Sequence, residues 1–186
     1  MSIERLKQLV PDHARDLRIN LGVIAGSTAL TPQQAWGTAL AAAVTARNRD
    51  VLDAIAGEAA SYLTPEAQAA ARGAAAIMGM NNIYYRFLHV IDDPEYAQLP
   101  ARLRMQIIGS VSSGKGGVDH LDFELWCIAA SAITGCEACV RSHEQTVRAK
   151  GGTREQIQDA VRIAAVIHGV AVTLDGVDTH AVADAA

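Results

Sequence analysis

Gln68, Ala70, Arg72, Ala74, Ala75, Ile77 and Gly79 recur 90 positions later as Gln158, Ala160, Arg162, Ala164, Ala165, Ile167 and Gly169. Trp36, Ala39 and Ala42 recur at the same offset as Trp126, Ala129 and Ala132. Alanine matches carry little weight in a chain this rich in alanine. Trp, Arg, Gln and Gly matches at one constant offset imply a structural unit that occurs twice. The expected organisation is a single domain over 1–186, with a first helical repeat at 31–90 and a second at 121–180.

Both units read as helical. Apolar residues recur every three or four positions, and no stretch alternates in the manner of a half-buried strand, so the expected fold class is all-α. Start signals agree. Thr31-Pro32-Gln33-Gln34 offers an N-cap, a proline in the first turn and a capping-box glutamine. Thr153-Arg154-Glu155-Gln156 repeats the box after Gly151-Gly152, and Thr64-Pro65 marks a further start. Gly109 to Gly117 reads as a loop, with a helix following from about Asp119 or Asp122.

Composition narrows function by exclusion. A formal charge of -4 and a pI near 5.8 argue against nucleic acid or an anionic membrane as partner. Met1 to Lys7 mixes charge with apolar residues as an amphipathic helix does, unlike a signal peptide. The apolar run Ile163–Leu174 contains His168 and is short for a bilayer span. A cytoplasmic location is therefore expected. Three cysteines do not make a structural disulfide framework there, so a closely spaced pair points to catalysis or metal binding.

That pair is Cys136 and Cys139, in Gly-Cys-Glu-Ala-Cys-Val-Arg-Ser-His. Thiols three residues apart share a helix face and can close a disulfide, and His143 lies on the same face. Glu124 stands in the run Phe123–Ile133, which is otherwise apolar, so its carboxylate needs a partner. Twelve residues of unbroken helix would hold Glu124 and Cys136 roughly 18 Å apart. Thr134-Gly135 is the expected point of reversal, returning His143 to Glu124 and placing the thiols in the first turn of a second helix. At the answering positions the first repeat carries Gln34, Ala46, Arg49 and Asp53, so the polar set belongs to one half only. A helix N-terminus stabilises a thiolate, and on that ground alone Cys136 would be the attacking sulfur. A histidine oriented by a carboxylate can take the thiol proton.

Phe123-Glu124-Leu125-Trp126, then Ser131-Ala132-Ile133-Thr134-Gly135-Cys136-x-x-Cys139 and His143-Glu144, resemble the signature of the alkyl hydroperoxide reductase AhpD family. Met1-Ser2-Ile3-Glu4, Trp36-Gly37-Thr38, Arg47-Asn48, the run Ala74 to Asn82 and Tyr85-Arg86 extend the resemblance over nearly the whole chain. It implies an AhpD-like helical bundle that forms a homotrimer and an antioxidant thiol oxidoreductase with weak direct peroxidase activity on organic hydroperoxides. The implied partners are the peroxiredoxin AhpC, which it reduces, and a lipoyl-bearing 2-oxoacid dehydrogenase component, whose dihydrolipoyl group supplies electrons with no cofactor bound. Carried over by position, Cys139 is the nucleophile that becomes a sulfenic acid or mixed disulfide. Cys136 is then the proton donor and resolving thiol, Cys136 and Cys139 form the redox disulfide, and Glu124 with His143 is the proton relay. Proximity to His143 also favours Cys139. One departure stands out: well-known members carry a histidine immediately before the second cysteine, where this chain has Ala138.

Three other readings remain, one of them two purely structural core cysteines in a helical bundle, which sits badly with Glu124 and His143 in the same apolar neighbourhood. Cys136, Cys139 and His143 could be three metal ligands, although no fourth Cys or His lies at a suitable spacing. A carboxymuconolactone decarboxylase-like enzyme would share the helical fold without needing the dithiol. A thioredoxin-like enzyme would need strands that are missing. Gly109–Gly116 nearly spells a phosphate loop, yet Gly116 replaces the Ser or Thr that would hold magnesium. Cys127 is expected in the core and His168 in the core or an interface, while Asn81 and Asn82 would line an interface or cap a helix.

Overall fold

The computed structural model describes residues 1–177, and among them the regular structure is helical throughout. In chain order come α1 (Ile3–Leu9), a 3-10 turn (Asp12–Ala14), α2 (Arg15–Asn20), α3 (Val23–Gly26), α4 (Pro32–Ala46) and α5 (Arg49–Ala59). Then follow α6 (Pro65–Ile91), α7 (Pro94–Gln98), α8 (Gln106–Ser112), α9 (His120–Thr134), α10 (Glu137–Ala149) and α11 (Arg154–Asp175). The start signals lie where they were read. Thr31 and Thr153 close full capping boxes with Gln34 and Gln156, and Thr64 caps α6 with Pro65 in its first turn. Asp119 caps α9.

The series α4–α5–α6 and α9–α10–α11 each run through a 15-residue helix, a shorter one and a long one. The expected second repeat ends at 180, so its last three positions lie outside the described residues.

The core forms where α4 and α9 cross, with α6 and α11 packed against both. Alanine on α4 and the small end of α9 allow close approach, and one glycine is decisive. A Cβ on Gly37 would fall 2.2 Å from the Trp126 ring, so only glycine lets the indole lie flat against α4. Trp126 is fully buried and donates its Nε1–H to the Gln34 carbonyl at 3.3 Å. Gln33 and Gln34 each donate to Asp122 at 2.8 Å, which ties α4 to the first turn of α9. Trp36 stacks on Tyr62 with ring centroids 4.8 Å apart.

Helix α11 is long and apolar enough, by length and composition, to cross a membrane. Its buried face, with Ile163, Ile167 and Val170, packs on α4 and α9 as part of the core. The segment expected to be a loop from Gly109 is helical through Ser112. Ile107, Ile108 and Val111 have helical spacing, and Val111 is buried. The loop starts beyond, where Gly114 and Gly117 take φ of 76° and 74°.

Candidate active site

Helix α9 stops at Gly135, whose φ of 70° puts it in the left-handed region, and the chain reverses there as expected. Three contacts hold the reversal from α6. Asn82 donates to Thr134 Oγ1 at 2.6 Å and accepts from Ser131 Oγ at 3.2 Å, and Arg86 donates to the Thr134 carbonyl at 3.0 Å. Asn82 lies inside α6 and is therefore no helix cap; it fastens the last turn of α9.

Cys136 is the N-cap of α10, and its Sγ accepts the Cys139 N–H at 3.4 Å. Asn48 does the same at the start of α5, accepting from the Val51 N–H at 3.0 Å. The first thiol thus occupies a position that any helix start would give to a capping oxygen. Cys136 and Cys139 form a disulfide with Cα atoms 5.3 Å apart. The two sulfurs are not equivalent. Cys136 is fully buried, whereas Cys139 lines a cavity of ≈330 Å³. Met78, Asn81 and Tyr85 of α6 form one wall, Met105 and Ile108 another, and Ala138, Ser142 and His143 of α10 a third. Ala138, where the family resemblance leads one to expect a histidine, contributes only a methyl to that wall.

Glu124 reaches the cavity from α9 and is 5% exposed. Its Oε2 lies 2.6 Å from His143 Nδ1, closing the expected contact across the reversal. His143 Nε2 lies 3.0 Å from Met78 Sδ. A carboxylate only accepts, so the short contact has His143 Nδ1–H donating to Glu124. Burial, the strongest single influence, pushes the Glu124 carboxyl up; the hydrogen bonds and charges of His143 and then His120 outweigh it and hold it below the usual carboxylate value. Cys127 is free and fully buried, and burial together with the charge of Glu124 pushes its thiol well above the usual range. It stays protonated, a core residue as expected.

The structure therefore brings Cys139, Cys136, His143 and Glu124 into one place. Three participants had not been read from the sequence. His120 Nε2 meets Glu124 Oε1 at 3.0 Å, and the spacing of four on one helix was the available signal. Met78 and Asn81 come from a helix far away in the chain, and no spacing rule reaches them. Asn81 is buried against the cavity, with an Oδ1 that has no partner among the described residues. Of the two places expected for His168 the core is excluded: it is exposed and borders a second cavity with Arg47 and Arg86, because it faces away from the buried side of α11.

The family model described as "Carboxymuconolactone decarboxylase family" matches residues 94–178. A protein named alkyl hydroperoxide reductase AhpD from Gluconacetobacter diazotrophicus is 54% identical over 176 residues, covering 95% of this chain and 94% of that protein. Proteins of the same name from Rhodospirillum centenum and Solibacter usitatus are 53% and 50% identical over 175 residues, covering 94% of this chain and 91% and 96% of theirs.

Proposed function

The chain belongs to the alkyl hydroperoxide reductase AhpD family, and from that premise we propose that it is a lipoyl-dependent reductase of the peroxiredoxin AhpC. The observation that carries the reading is the asymmetry of the disulfide. Cys139 faces a cavity beside the His143–Glu124 pair, while Cys136 is sealed behind it.

A dihydrolipoyl thiolate enters the cavity and attacks Cys139, and the Cys136 sulfur leaves and takes a proton. The second lipoyl thiol then displaces Cys139, which leaves a protein dithiol and an oxidised lipoyl group. Cys139 next attacks the AhpC disulfide, Cys136 resolves the mixed disulfide, and AhpC departs reduced. With an organic hydroperoxide instead, Cys139 takes the distal oxygen to become a sulfenic acid as the alcohol leaves. Cys136 condenses with it and releases water. His143, oriented by Glu124, moves the proton at each thiol–thiolate change. The N–H contact from Cys139 and the α10 dipole favour Cys136 as the stabilised leaving thiolate. In this reading the N-terminal sulfur leaves and the cavity sulfur attacks.

The rest of the reading is proposed with it. The scaffold is a duplicated unit, 31–90 and 121–180. A homotrimer is supported by the exposed apolar side chains Ile83, Phe87, Val90 and Ile91 near the end of α6 and Tyr96 and Leu99 in and after α7. The protein works in the cytoplasm, against oxidative stress, and needs no bound cofactor.

Replacing Cys139 by Ser tests the function directly. The variant is expected to lose dihydrolipoamide-dependent reduction of AhpC, and undiminished turnover would sink the mechanism.

A further inference from the structure

We propose that His120 is a positioning residue of the thiol–disulfide centre, gripping one oxygen of Glu124 so that the carboxylate presents the other to His143 and the relay. The inference rests on the reading of Cys136 and Cys139 as a cycling pair, and it concerns a residue outside that pair and its immediate base.

His120 is the first residue of α9, where the helix dipole disfavours a positive side chain, so helix stability does not account for it. The neighbouring carboxylates are engaged elsewhere. Asp119 accepts the Leu121 N–H at 2.7 Å, and Asp122 is held by Gln33 and Gln34. The hydrogen bond that the described residues give the His120 ring is the one from Nε2 to Glu124 Oε1. The ring is mostly buried, its side chain 19% exposed, and Nδ1 is buried with no partner among the described residues. A largely buried imidazole that leaves one nitrogen unsatisfied is an unusual arrangement, and here its whole polar contribution goes to one oxygen.

That contribution matters because a carboxylate's terminal torsion is broad and roughly two-fold. With Oε1 fixed by His120, Oε2 is held at His143 Nδ1, and Nε2 is left to face Met78 and the cavity. Without His120, Oε1 would stand in a buried site lacking a donor, and the carboxyl would take up a proton more readily. A neutral Glu124 no longer stabilises the charged form of His143, which is the form that returns a proton to a departing thiolate. Glu124 contacts His120 on α9 and His143 on α10, its charge acts on Cys127 of α9, and Cys139 of α10 with Met78, Asn81 and Tyr85 of α6 line the same cavity. Of these, His120 is the second imidazole on the carboxylate.

The test compares H120L, which removes the donor, with H120Q, whose side-chain N–H reaches about as far as imidazole Nε2. In thiol–disulfide exchange between the full-length protein and dihydrolipoamide, H120L is expected to lose about tenfold in rate and to show an acid limb raised by about one pH unit. H120Q is expected to regain most of the rate. In parallel, carbon NMR of the Glu124 carboxyl, assigned with E124Q, is expected to titrate higher in H120L than in the wild type, with similar melting temperatures. The NMR readout needs no turnover: a wild type that fails to exchange with dihydrolipoamide overturns the lipoyl reading, while a raised Glu124 titration would still support His120. An unchanged Glu124 titration and acid limb in H120L, or an H120Q rate as low as that of H120L, would overturn the proposal.

Discussion

Glu124 and His143 are 19 residues apart in the chain, yet Oε2 and Nδ1 stand 2.6 Å from each other across the reversal between α9 and α10. The contact joins a helix buried on nearly all sides to an amphipathic one, and it lies against the cavity that Cys139 lines. Both partners are largely withdrawn from water, with the Glu124 side chain 7% and the His143 side chain 13% exposed.

Glu124→Gln keeps the shape and removes the charge. General acid–base contributions of this kind run from about 100-fold upward, so dithiol turnover should fall by roughly that factor. Stability should respond to pH in one direction. Burial raises the carboxyl's pKa, but the two histidines hold it below its usual value, so the ionised group contributes stability above the unfolded pKa of about 4.3. That contribution is lost as pH falls through the lower folded value. Urea midpoints of wild type and variant should therefore converge on going from about pH 7 to about pH 3; a gap that widens in acid contradicts the assignment.

Accessibility orders the three thiols. In the reduced protein a small alkylating agent should modify Cys139 first, because it lines the cavity, then Cys136, with Cys127 last. Peptide mass mapping over a time course reads the order. Early labelling of Cys127 would be incompatible with its full burial and raised thiol pKa.

Gly135→Ala isolates the reversal. Nothing lies within 4 Å of a Cβ added there, so the cost is confined to the left-handed backbone, φ 70°. That cost is about 1–2 kcal/mol, a fall in melting temperature of roughly 2–8 °C for a chain of this size. Asn at this position should cost less than Ala. Calorimetry on the two variants checks the ranking.

At Gly37 the expectation is steric instead. Ala there must displace the Trp126 ring and should cost about 1–3 kcal/mol. The double variant with Trp126→Phe, which removes the obstructing atoms, should lose less than the two single variants together. Additive losses in denaturant unfolding would place the strain elsewhere.

Much of this molecule is legible in local chemistry. Thr31, Thr64 and Thr153 cap the helices they announce, because an N-cap needs only residues within one turn. Gly135 ends α9 for an equally local reason. The misreadings occur where a signal has two meanings. Glycine and serine from Gly109 suggest a loop, but Val111 has a core to enter and carries the helix on to Ser112. For His168, in an apolar run, only the core half of the expectation fails, because the helix turns it outward.

Sequence alone determined the all-helical class, the major helix starts, the reversal at Gly135 and the spacing that lets Cys136 and Cys139 bond, since each depends on contacts within a few residues. It also required that Glu124 find a partner, because an apolar helix cannot leave a carboxylate unpaired at low cost. Tertiary structure decided which groups meet and which sulfur faces the cavity. Met78, Asn81 and Asn82 reach the site only because α6 packs on α9 and α10. Such meetings depend on how closely the helices pack and at what angle, and so on details such as the missing Cβ at Gly37. Periodicity along one helix carries no record of the face its neighbour will offer.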